Sequence, residues 1–314
     1  MPLTVRDLIL PCIFTNKYSI NYIYRIKNME NLNTPATANP LSKYFRQPAI
    51  YMDLPSRGKY WPDGTLDLPV TGKLAVYPMT TRDEITLRTP DALMNGTSVV
   101  DVIQSCCPSI TNAWRMPSVD VDAVLIGIRI ASYGNEMDFD TRCPYCKAEN
   151  KHGLNLSTVL DNIVCPDYSE KVSYQDLQIK LYPQEYFSVN RAGTLDFEEQ
   201  QLLQALEKTN ITDGERSQQV ADSVNRLISA GLDTITGGTE YIVINQQNRV
   251  TEKEHIKEFY SNAPSTVTKL VQSRLSELAT LGGIQPPSVA CSECAKTYEA
   301  PVEFDFANFF GNGS

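Results

Sequence analysis

Two Cys-x-x-Cys pairs, Cys143-Pro144-Tyr145-Cys146 and Cys291-Ser292-Glu293-Cys294, constrain this chain more than any other feature, because 144 residues separate them. A two-residue gap lets one tight turn aim two sulfurs at one ion. Two such turns facing each other supply the tetrahedral S₄ set of structural zinc, at about 2.3 Å per bond. A shared ion would bring the C-terminal end of the chain back to its middle. Closing so long a loop costs about 4–5 kcal/mol. Structural zinc contributes about 10–16 kcal/mol in small domains, so metal binding outweighs the closure. Cys143, Cys146, Cys291 and Cys294 are therefore the expected metal ligands, and Zn²⁺ in a structural role is the expected cofactor.

Three other readings of the pairs stay open at this level. Separate redox dithiols would normally sit in a thioredoxin-like βαβ pattern, which surrounds neither pair. Rubredoxin-like iron would ordinarily have glycine where Lys147 and Ala295 stand. The cysteines could also be unmetallated. Even with zinc, four thiolates leave no open position for water, so catalysis at the ion is not expected. Of the other cysteines, the adjacent Cys106 and Cys107 read as buried helix residues, and Cys165 as a core or loop thiol rather than a spare ligand. His152, six residues past Cys146, is a weak substitute ligand. Asp120 and Asp122 read as acids complementing a helix N-terminus rather than a catalytic pair.

Composition narrows the function classes. The chain has 314 residues, 28 Lys and Arg against 37 Asp and Glu, and a net charge of −9. Hydrophobic residues at 42% exclude wholesale disorder. The acidic balance is the reverse of what phosphate-driven nucleic-acid binding needs. Only two histidines occur, His152 and His255, so multi-histidine chemistry is excluded. No phosphate loop or nucleophile elbow is present, and no apolar run approaches the roughly 18 residues that span a bilayer. Cysteine in metal-like pairs points to synthesis in a reducing cytosol.

Along the chain, residues 1–45 read as a flexible segment. Residues 1–28 are basic, and Met29 offers a second start, so the first 28 residues read equally as an over-extended frame. Ile50 to Leu54 and Lys73 to Tyr77 are strand-like. A Thr81/Glu84 capping box predicts a helix to Arg88. Ser98 to Cys106 is amphipathic. A helix from Ser118, apolar nearly all round from Val121 to Ala131 and stopped by Gly134, should be buried. Met137 to Asp140 predicts a strand, and residues 172–174 with 177–181 a hairpin. Phe197 to Gly231 predicts a helical pair, with Leu202, Leu203 and Leu206 on one face of its first half, Val220, Val224, Leu227 and Ile228 on one face of its second, and a turn at 210–214. Glu198-Glu199 and Glu252-Lys253-Glu254 read as solvated faces. Tyr241 to Ile244 is strand-like, a Thr251/Glu254 box starts a helix, another runs from Ser265 to Gly282-Gly283, and Thr297 to Phe306 is strand-like.

One block carries a family likeness: Arg46-Gln47-Pro48, Leu54-Pro55-Ser56-Arg57-Gly58, Tyr77-Pro78-Met79-Thr80, Asp83-Glu84, Thr89-Pro90-Asp91-Ala92-Leu93, Asn95-Gly96 and Val102-Ile103-Gln104-Ser105-Cys106. It resembles the baseplate hub subunit family of T-even-type contractile-tailed bacteriophages, over roughly residues 40–140. The resemblance implies a non-enzymatic tail protein acting in baseplate hub assembly or structure. It implies other phage baseplate and hub proteins as partners, no small-molecule substrate, and a place in the host cytoplasm during assembly and in the virion tail baseplate. It supplies no catalytic residues. The chain is longer than the form of that family it resembles, and the segment from about 155 to 290 and the cysteine pairs look like an elaboration of it.

The expected architecture is α+β. Residues 46–135 form an N-terminal β/helical module. Residues 136–155 and 284–314 form a discontinuous zinc ribbon, a Cys₄ knuckle pair closed by the C-terminus. Residues 156–283 form a largely helical insertion between the knuckles. Two other function classes remain: a zinc-ribbon adaptor binding nucleic acid or a host transcription or replication factor, and a dithiol redox enzyme. The ribbon charges are mixed, Arg142, Lys147, Lys151 and Lys296 against Glu149, Glu293 and Glu299, where an adaptor for nucleic acid would carry a basic stripe.

Overall fold

A computed structural model describes residues 39–88, 96–208, 212–300 and 309–310. The readings of residues 1–28, Thr89 to Leu93 and Asn95 fall outside these residues, as do parts of the 210–214 turn and of the 297–306 strand. The chain divides into two units, residues 1–46 and 47–314. Of the first, the described part holds one 3₁₀ turn, Ser42–Tyr44.

The second unit is α+β. It begins with a two-stranded antiparallel sheet of β1 (Ile50–Met52) and β2 (Leu74–Val76). Helices α1 (Thr81–Leu87), α2 (Thr97–Cys106) and α3 (Ser118–Tyr133) follow. As its sequence requires, α3 is buried on nearly every side: Ala123, Val124, Leu125, Ile126 and Ile128 are at most 2% exposed. An all-round apolar helix can only be a core helix. It approaches the small sheet so closely that a Cβ on Gly127 would lie 2.6 Å from Met52 Sδ. Gly134, at φ +87°, ends it.

The α1 capping box lies one residue earlier than expected. Thr80 is the N-cap and Asp83 its partner. Glu84 is thereby freed to accept the Tyr133 hydroxyl at 2.8 Å, tying α1 to the end of α3.

Strands β3 (Glu136–Arg142) and β4 (Glu149–Asn155) form a hairpin in register from Glu136↔Asn155 to Arg142↔Glu149. After α4 (Leu156–Asn162), a four-stranded antiparallel sheet forms in the order β5-β6-β7-β8 from Lys171–Tyr174, Leu177–Leu181, Thr239–Ile244 and Asn248–Val250. Helices α5 (Tyr186–Lys208) and α6 (Asp213–Gly237) are inserted between β6 and β7, and α7 (Lys253–Asn262) and α8 (Ser265–Gly282) close the segment. The part expected to be largely helical therefore also carries a sheet. This sheet and its helices share a second core, with Ile179, Leu181, Ile242, Ile256, Val267 and Val271 at its centre. A second hairpin follows, β9 (Ser288–Ala290) with β10 (Thr297–Glu299), and Phe309 and Phe310 lie buried in the core around α3.

Two charged groups read as solvated prove structural. Glu199 is 5% exposed. It accepts Ser223 Oγ at 2.5 Å and Arg226 Nη2 at 3.0 Å, and so locks α5 to α6. The pair thus relies on a polar lock beside Leu206, while Val220, Val224 and Ile228, expected to form its apolar seam, are exposed. Lys253 Nζ donates to Thr236 O at 3.2 Å and to Tyr182 Oη at 3.3 Å, and also reaches Thr239 O. A cation there complements the α6 C-terminus at Thr236 and also reaches the first carbonyl of β7. Burial pulls the Lys253 pKa down, although Glu240 and Glu185 oppose this.

The true box at the start of α6 is Thr212 with Glu215, inside the expected turn. At α7 the expected Thr251/Glu254 box is absent; Glu252 is the N-cap, without a side-chain cap bond.

Candidate metal centre

The β3–β4 hairpin shows strict alternation. Met137, Phe139, Thr141, Asn150, His152 and Leu154 are buried or half-buried, while Glu136, Asp138, Asp140, Arg142, Glu149 and Lys151 are exposed. Side chains on a strand point alternately to opposite faces, so the first set forms one inner face. Tyr298 of β10 meets that face. Its hydroxyl lies 2.6 Å from Thr141 Oγ1 and 3.5 Å from His152 Nε2.

At the hairpin tips lie the two cysteine pairs, folded alike. In the first, Lys147 N donates to Cys143 O at 3.0 Å and Cys143 N to Ala148 O at 2.9 Å. In the second, Ala295 N donates to Cys291 O at 3.0 Å and Cys291 N to Lys296 O at 3.0 Å. Lys147 (φ +66°) and Ala295 (φ +57°) both take the left-handed conformation for which glycine would be the easy choice. The missing glycines noted in the sequence do not prevent the turn; they strain it by about 1–2 kcal/mol each.

All four sulfurs lie within 4.8 Å of one another. Cys143 Sγ is 3.7 Å from Cys294 Sγ, and Cys146 Sγ is 3.5 Å from Cys291 Sγ. A tetrahedron with 2.3 Å zinc–sulfur bonds has edges of about 3.8 Å. These two separations are close to that edge and far from a disulfide bond. The four cysteines could hold a metal ion such as zinc.

The local electrostatics favour the thiolate at Cys143 and Cys291 and oppose it at Cys146. Burial opposes ionisation of Cys143, but the N–H groups of Cys146 and Tyr145 outweigh it and hold its pKa low. The N–H groups of Cys294 and Glu293 bring Cys291 down to about 6 against burial. Cys146 receives the Ala148 N–H, yet burial and the three neighbouring sulfurs push it up to about 12. A bound cation would relieve that repulsion directly.

Sequence reasoning missed the residues that join the tips. Asn150 is 5% exposed. Its Nδ2 donates to Ala148 O at 3.0 Å, and its Oδ1 accepts Ser292 N at 2.8 Å and Ser292 Oγ at 2.9 Å. The available signal was a polar side chain at an inward strand position.

The remaining candidates lie elsewhere. His152 stands outside the tetrad, between Phe139 and Tyr298. Cys106 and Cys107 are fully buried in the α3 core. Half-buried Cys165 donates to Pro166 O. Asp120 does more than complement a helix dipole: it accepts Ser56 N at 2.8 Å, Ser56 Oγ at 2.5 Å and Trp61 Nε1 at 2.7 Å, anchoring the loop after β1. Asp122 is desolvated, which raises its pKa. An open groove of about 820 Å³ along β1 and α4, apart from the tetrad, is lined by Asp53, Arg57, Lys73, Asp161, Asn135 and Ser157 together with apolar residues. No helix among the described residues is long and apolar enough to cross a membrane.

Among known proteins, no curated relative and no solved structure matches this chain. A family model described as T4 bacteriophage base plate protein matches residues 53–311. That span passes through both cysteine pairs and everything between them, well beyond the block at residues 40–140. The chain belongs to the T4 bacteriophage base plate protein family.

Proposed function

We propose that this protein is a non-enzymatic structural component of the phage baseplate, acting in hub assembly through contacts with other baseplate proteins. In this reading the β3–β4 and β9–β10 hairpins form a discontinuous zinc ribbon over residues 136–155 and 284–314. Residues 46–135 form the hub-family module, and 156–283 an inserted segment. The observation that carries the reading is the closed sulfur tetrad, contributed half by the middle and half by the end of a chain that belongs to a baseplate family.

A tetrahedral ion with four thiolates has no free position for substrate or water, so its role is to fasten. The metal would hold the C-terminal hairpin against residues 136–155 and make one rigid body for docking. The outer face of the β3–β4 hairpin, with Glu136, Asp138, Asp140 and Glu149 against Arg142 and Lys151, supports protein partners over nucleic acid. The place of action is the host cytoplasm during assembly and the virion tail thereafter.

Co-purification of the tagged chain from infected cells tests the role. Recovery with other tail proteins supports it. Recovery with polymerase or nucleic acid alone would overturn it in favour of an adaptor.

A further inference from the structure

We infer that Asn150 is a positioning residue that grips both cysteine turns and presets the geometry of the sulfur tetrad; this rests on the metal-site reading above. Each turn is closed by its own backbone bonds, and these do not orient one turn against the other. What orients one against the other is a separate question. A tetrahedral ion fixes four sulfur directions, yet ordering two independent turns around it carries an entropic cost unless the protein has already aligned them.

Asn150 supplies that alignment at the level of the turns themselves. Its amide nitrogen holds the first turn through Ala148 O, the same carbonyl that accepts Cys143 N. Its amide oxygen holds the second turn through Ser292 N and Oγ, between Cys291 and Cys294. The side chain's orientation is unambiguous, since Ala148 O can only accept and Ser292 N can only donate. Thr141 and Tyr298 join the same two hairpins further from the tips.

The two turns differ in one informative way. The first has Pro144 where the second has Ser292. Proline has no N–H, so only the second turn can offer this donor to Asn150. Pro144 also shows that this turn position accepts proline, so Ser292→Pro removes the N–H with little change in local backbone.

The test uses the full chain, loaded with Co²⁺ and read by its thiolate absorption bands, with chelator competition for Zn²⁺ affinity. Asn150→Ala and Ser292→Pro are each expected to keep one ion and an S₄ cobalt spectrum while losing 10–100-fold in affinity. The double variant should lose no more than the larger single effect. Ser292→Ala keeps the N–H and should lose less than either. Thermal unfolding at saturating metal should stay near wild type, which separates positioning from general destabilisation. Affinity within twofold of wild type in both Asn150→Ala and Ser292→Pro would overturn the role of Asn150 alone. A wild-type chain that binds no ion at the four sulfurs would overturn the site itself, and this proposal with it.

Discussion

Cys143 and Cys294, 151 positions apart in the chain, bring their sulfur atoms to 3.7 Å. The contact places the C-terminal hairpin against the middle of the fold. The hairpin itself is small, three residues per strand. Its apolar contribution is correspondingly slight: Cys143, Cys291, Tyr298 and Ala300 form the whole buried part of this cluster among the described residues. Short two-stranded hairpins are marginal in water unless something else holds them.

Removing a ligand should therefore release this hairpin locally. Cys143→Ser is expected to abolish metal binding and raise hydrogen exchange across 136–155 and 288–299, while α3 and the second core keep their protection. Hydrogen-exchange mass spectrometry checks this. Loss of protection in α3 to the same degree would mean that the clasp and the core unfold together.

Asp120 gives a prediction on stability and its pH dependence. Asp120→Ala leaves Trp61 Nε1 and Ser56 N without their acceptor and should cost about 1–3 kcal/mol in denaturant unfolding. Burial outweighs the three hydrogen bonds and raises the Asp120 pKa above 3.8. The folded state therefore holds this proton more tightly than the unfolded state does. The resulting stability is complete below about pH 3.9. It is lost as pH rises through the folded pKa. The slope of stability against pH in that window should change in the variant.

Glu199 has the opposite sign. Arg226 and Ser223 hold its pKa below 4.5. Its stabilising effect is present above the unfolded value and lost as pH falls through the folded one. Glu199→Gln should loosen the α5–α6 pair at neutral pH and remove its part of the acid-induced loss. Limited proteolysis within α5 and α6 across pH 3–6 measures this directly.

Gly127 tests packing under α3. A leucine there must displace Met52 from a position where even a Cβ would lie 2.6 Å from its sulfur. Overpacking of this kind costs about 1–3 kcal/mol. The improved helix propensity returns about 1 kcal/mol of that. A net fall in thermal stability is the expected outcome, and it should be partly restored by Met52→Ala.

The elements that pattern and spacing define were readable from the chain. The all-apolar run of α3 can only be buried, the β5–β6 alternation can only pair, and the two-residue cysteine gaps converge as zinc-type spacing requires. What escaped depended on partners distant in sequence. The cap falls on Thr80 rather than Thr81, which leaves Glu84 to accept from Tyr133, 49 positions away. Glu199 and Lys253 look like surface charges until Ser223, Arg226, Thr236 and Tyr182 are placed around them. Val220, Val224 and Ile228 have helical spacing but lie on the outside of their helix pair, because spacing gives a face without saying what covers it. Asn150 escaped for the same reason, as its partner Ser292 lies 142 positions away.

The central claim is that one ion joins the two cysteine turns, and zinc-edge X-ray absorption on protein purified without added chelator tests it most directly. The expected result is one zinc per chain with four sulfur neighbours at about 2.3 Å. A metal-free, folded protein whose four cysteines all react with a thiol reagent, or zinc bound through nitrogen and oxygen, would contradict it.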